Sequence, residues 1–158
     1  MDDTFPFPIE PNPDNIARAS DFAMRMWAER TVSRNRDRVA AGLPQEPLPT
    51  DLSGSCKFTS MFATRVFGGK GRGNEQHQYA SVPGYGNLDL NADAADVMAM
   101  RTDADGSLSL DPCWHHRKFW GNREHREAMA SCVPRVDAWM AAFAAELSED
   151  PRLGQKAP

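Results

Sequence analysis

Cys56, His77 and Asp89 are the residues of this chain whose types and order suit acyl chemistry. A thiol nucleophile needs a neighbouring base to hold or take its proton, and that base needs a third group to fix its tautomer and steady the imidazolium. Cys56 is expected to supply the nucleophile, His77 the base and then the acid, and Asp89 the orienting carboxylate. Attack on an amide or ester carbonyl would give a thioester, resolved by water or an amine. Asn91 is a second candidate for the orienting role, because an amide can also fix an imidazole. Gln45, Gln76 and Gln78 are candidate extra donors to an oxyanion, and the sequence does not choose among them.

These groups must be positioned by a helix and a hairpin. In CKFTSMFATRVF, Phe58, Met61, Phe62 and Val66 make one apolar helical face, with Ser53 or Ser55 as the cap and Gly68 and Gly69 as the stop. Cys56 falls in the first turn, where unpaired N–H groups and the helix dipole favour an anion and therefore a reactive thiolate. HQYASV and NLDLN alternate like strands about PGYG. Matching Ala80 and Val82 to Leu88 and Leu90 requires an odd loop, Pro83-Gly84-Tyr85, which collects His77, Tyr79, Asp89 and Asn91 on the other face. A loop of two or four residues would separate His77 from Asp89. The intervening KGRGNEQ is expected to be a mobile loop that could gate the site.

Around this unit the chain reads as one domain of 158 residues. Residues 1–13, with Pro6, Pro8, Pro11 and Pro13, are expected to be an extended arm. A helix over 14–41, capped by Asp14, buries Ile16, Ala19, Phe22, Ala23, Met26 and Trp27. A Pro-rich linker leads to the catalytic core at 53–93. ADAADVMAM is expected to form a short helix and RTDADGSLSLDP a loop. Residues 122–147 read as helical, with Pro134 kinking or dividing them, and 148–158 as a fraying tail.

Composition narrows the function classes. Hydrophobic residues at 41% and charged residues at 25% fit a folded globular domain. A formal charge of −4 gives no general pull toward nucleic acid or an anionic membrane. No run approaches the about 18 apolar residues of a membrane span, and the acidic, Pro-rich N-terminus does not read as a Sec signal. Three cysteines suit a reducing compartment better than a disulfide framework, so a cytoplasmic location is the default, with signal-independent export left open.

Other clusters read less sharply. Cys113, His115, His116, His125 and Cys132 are zinc-binding residue types, but their spacing matches no metal pattern, and neither a metal nor a cofactor is expected. His125-Arg126-Glu127 has the H-x-E of zinc deaminases without the following P-C-x-x-C. Gly68, Gly69, Gly71 and Gly73 follow a helix and lack phosphate-loop spacing. Trp114, Phe119 and Trp120 could pack a loop, line a cleft, or present a surface to a protein partner in a non-catalytic interaction module.

GSCKFTSMFATRVFGG, HQYASV and NLDLN together resemble the transglutaminase-like core of the papain-like cysteine hydrolase superfamily, over residues 53–93. There the cysteine often sits in a G-x-C context and opens a helix, as in Gly54-Ser55-Cys56, and the histidine and aspartate lie on successive strands. Where that family commonly has a small residue and Trp after the histidine, this chain has Gln78 and Tyr79. NlpC-type peptidoglycan peptidases share the plan of a helix cysteine then a strand histidine, but their D-C-S-G-F context is absent. The resemblance implies an α+β fold with a small antiparallel sheet packed on the Cys56 helix. It also implies a cysteine hydrolase or acyl transferase of protease, amidase, deamidase or transglutaminase type. The expected partner is a protein or peptide substrate.

Overall fold

The computed structural model describes residues 7–73, 77–100 and 123–150. Helix α1, Pro13–Ala40, begins with proline at its first position, where the missing N–H costs nothing. Its cap is Asn12, whose Oδ1 accepts from the Asn15 N–H at 2.8 Å. Asp14 instead lies in the first turn, where its charge favours the helix dipole without capping. α1 buries Ala19, Phe22, Ala23 and Trp27 on one face. The arm before it is tied down from Phe7 onward: the Ile9 N–H donates to the Val66 carbonyl (2.8 Å), and Phe7 stacks on Phe143.

Helix α2, Cys56–Phe67, ends at Gly68, whose φ of 84° suits a residue without Cβ. Three antiparallel strands follow in the order β1-β2-β3: β1 Lys70–Gly73, β2 Gln78–Val82 and β3 Gly86–Leu88. β1 corrects the loop expected there. KGRG carries no β-branched or aromatic residue, so nothing in its composition signals a strand. It pairs as an edge because glycine allows close approach: a Cβ on Gly69 would sit 2.0 Å from the Ser81 carbonyl oxygen. The hairpin takes the expected three-residue turn, with Ala80 opposite Leu88 and Val82 opposite Gly86. Residues 74–76, where a gate was expected, lie outside the described residues.

Helix α3, Ala95–Met100, is shorter than ADAADVMAM. Helix α4, Arg123–Glu149, is continuous through Pro134, so of the expected kink or division the structure removes the division. Its buried Cys132, Val136, Trp139, Phe143 and Leu147 recur at helical spacing, and packing of that stripe holds the helix despite one lost backbone bond. The helix also claims Ser148 and Glu149 from the expected tail.

The fold is α+β: β2 packs its Ala80 and Val82 face on α2, and α1 and α4 cover the other side of that helix. An aromatic cluster joins the three helices, with Phe22, Phe62 and Phe143 at centroid distances of 5.0–5.5 Å and Trp139 edge-on to Phe62. Ion pairs Arg25–Glu146 and Arg65–Asp137 flank it at the surface. Among the described residues no helix is long and apolar enough to cross a membrane.

Phe62 is fully buried at the centre of this cluster. Phe62→Ala is expected to lower unfolding free energy by about 3–5 kcal/mol in chemical denaturation. Val39→Ala, at a position 56% exposed, should change it by less than about 0.5 kcal/mol.

Candidate active site

The loop before α2 aims the helix start. Asp51 accepts from the Ser53 N–H through Oδ1 and from the Ala95 N–H through Oδ2, both at 2.9 Å, while Asp96 Oδ2 accepts from the Gly54 N–H at 2.8 Å. These bonds, that of the Ala95 amide foremost, hold the Asp51 carboxyl below its usual pKa. Ser55 is the N-cap residue, but its hydroxyl donates back to the Leu52 carbonyl at 2.6 Å instead of accepting from the helix. The first-turn amides, Cys56 among them, are therefore left without a side-chain cap. Ser53, the other expected cap, accepts from the Asp96 N–H at 3.3 Å.

His77 precedes β2 and is 1% exposed, whereas Cys56 is half-buried. His77 Nε2 lies 2.6 Å from Asp89 Oδ2, and Cys56 is the other neighbour that raises the imidazole pKa. Tyr79 stacks beside the ring, with centroids 6.1 Å apart. Burial, the largest single influence, pulls the His77 pKa down; the hydrogen bonds to Asp89 and Cys56 and their charges outweigh it and push it up to about 9. The ring is therefore an imidazolium at neutral pH.

The three expected residues thus converge. Asn91 does not replace Asp89, which corrects the alternative orienting role. Instead its backbone N–H donates to Asp89 Oδ1 at 2.9 Å, leaving Oδ2 for the histidine. Its side-chain Nδ2, fully buried, donates to the Leu52 carbonyl (3.0 Å) and to Ser55 Oγ (3.1 Å). One residue therefore holds both the carboxylate and the segment that leads into Cys56. The sequence offered only a weak sign of this: two small polar residues, Ser55 and Asn91, bordering apolar segments.

Of the three candidate glutamines, Gln78 reaches the site. It is buried, and its Oε1 lies 3.7 Å from Cys56 Sγ. Gln45 lines a separate groove beside Asn35 and Val39, and Gln76 lies outside the described residues. So do Cys113, His115 and His116 of the zinc reading and Trp114, Phe119 and Trp120 of the interaction reading. His125 and Cys132 are both buried in α4, and among the described residues no group of three or more potential ligands gathers. Cys56 and Cys132 are both free thiols. Comparison of the chain with protein-family models, curated proteins and solved structures finds no match in any of the three.

A histidine pKa raised from 6.5 to about 9 by folding adds stability that is complete below about pH 6.5 and is lost as pH rises through about 9. Unfolding free energy should fall across that window, by on the order of 3 kcal/mol from this group. Asp89→Asn, which removes the strongest of the raising influences, should show a much flatter profile in denaturant titrations at successive pH values.

Proposed function

We propose that this chain is a cysteine-dependent hydrolase or acyl transferase with a papain-like or transglutaminase-like core, acting on an amide or ester bond of a protein or peptide. The observation that carries the reading is the buried His77 imidazole, hydrogen-bonded to Asp89 and with its pKa raised by Asp89 and by Cys56 at the start of a helix.

The chemistry follows from these positions. Sγ of Cys56 attacks the carbonyl carbon, and the carbonyl electron pair moves to its oxygen. That oxyanion is met by first-turn amides of α2, which are uncapped and aligned with the helix dipole. The His77 imidazolium gives its proton to the leaving amine or alcohol as the bond breaks, leaving a thioester on Cys56. The neutral imidazole then takes a proton from water or an acceptor amine, which attacks the thioester and releases the thiolate. Asp89 holds the ring in the required tautomer in both halves.

A generic activated ester tests this without knowledge of the natural substrate. Incubation with p-nitrophenyl acetate should release p-nitrophenol and place one acetyl group on Cys56, located by peptide mass spectrometry. Cys56→Ala should lose that modification, and His77→Ala should slow it by about 100-fold or more. Acetylation confined to Cys132, or equal rates in parent and His77→Ala, would contradict the proposal.

A further inference from the structure

We propose that the groove between the C-terminal half of α1 and the Pro-rich strap that follows it is a docking surface for an acidic, apolar peptide segment of a protein partner. The strap, residues 43–49, runs back beside α1 after the helix ends at Ala40. The Leu43 N–H donates to the Arg38 carbonyl at 2.8 Å, and Arg38 Nε donates to the Pro44 carbonyl at 2.6 Å. Asn35, buried on the helix, then clasps Glu46 reciprocally: its Nδ2 donates to the Glu46 carbonyl (2.9 Å) and its Oδ1 accepts from the Glu46 N–H (2.8 Å). Pro44, Pro47 and Pro49 fix the strap's backbone and leave it few amide donors to satisfy. The groove walls are therefore formed before any partner arrives, which removes part of the ordering cost of binding.

The strap closes onto the helix without covering its apolar residues. Val32, Arg36 and Val39, on one helical face, line one wall of an open cavity of about 650 Å³, and Gln45 and Leu48 line the other. Val39, Leu43 and Leu48 are three of the five exposed large hydrophobics among the described residues, so apolar exposure concentrates here instead of scattering. Leu43, two residues before Gln45, carries apolar surface beyond the cavity, which suits a chain segment better than a small molecule. Charge sets the sign of the occupant. The acid that lines the groove, Glu46, is taken by Arg34 at 2.8 Å and approached by Arg38 at 3.9 Å. Arg36 forms no ion pair among the described residues, and Asp37, its neighbour in sequence, does not line the groove. A carboxylate beside Arg36 would be paired there and a cation repelled, although the chain as a whole carries −4. None of Cys56, His77 and Asp89 lines this surface, so docking leaves the thiol site open.

Three fluorescein-labelled peptides of about ten residues, built from Glu and Leu, from Lys and Leu, and from Glu and Ser, separate charge from apolar content in polarisation assays at about 50 mM ionic strength. The Glu/Leu peptide should bind with a Kd of about 10–500 μM, and the other two at least about tenfold more weakly. Its 15N NMR amide shifts should fall on Val32, Arg36, Val39 and Leu48. Val39→Ala, which leaves stability nearly unchanged, should weaken binding about threefold, and Arg36→Glu about tenfold, with the preference turned toward the Lys/Leu peptide. Equal affinity for the acidic and basic peptides, no binding of the Glu/Leu peptide below about 1 mM, or shifts confined to other residues would overturn the proposal. So would self-association of the protein alone that Arg36→Glu abolishes, because the occupant would then be a second copy of the chain.

Discussion

An imidazole buried to 1% exposure can stay charged only if its neighbours supply more than burial removes, and that condition governs the arrangement around His77. Asp89 and Cys56 are the two neighbours that meet it. Each must be held close to the ring from a different element, one at the end of the hairpin and one at the start of α2. A buried pair that loses one partner leaves an uncompensated charge, which is far costlier than a lost surface contact. The site is therefore a demand placed on the fold as much as a product of it.

The fold answers through Asn91. Its N–H fixes one oxygen of Asp89, and its side chain fixes the Leu52–Ser55 segment that delivers Cys56. Behind this latch, α2 is held rigidly between the sheet and the two long helices by Phe62 and its aromatic neighbours. The same packing brings Arg30 and Arg135 from different helices to the ring of Phe58.

The meeting of His77 and Asp89 was legible in the sequence because side chains alternate along a strand. Once Ala80 and Val82 must face the same way as Leu88 and Leu90, the loop length and the opposite face follow. The start of α2 was equally readable from its apolar spacing. What was hidden depends on contacts distant in sequence. β1 exists because two glycines let a polar segment approach β2, and its residues carry no strand signal. Asn12 competes with Asp14 for the cap of α1, and only the backbone conformation decides between them. Pro134 reads as a kink or a division, and the packing of α4 is what keeps the helix undivided. Asn91 was visible as a polar residue on the right face, but its buried bonds to Leu52 and Ser55 cross more than thirty positions of chain.

The charge state of His77 is the most direct measure of whether this array exists. Its ring nitrogens can be followed by 15N NMR across pH in the parent and in Cys56→Ala. The account predicts an imidazolium that persists through neutral pH and titrates near 9 in the parent, with a lower midpoint when the thiol is removed. A histidine that titrates at or below its ordinary value of 6.5, indifferent to Cys56, would contradict it.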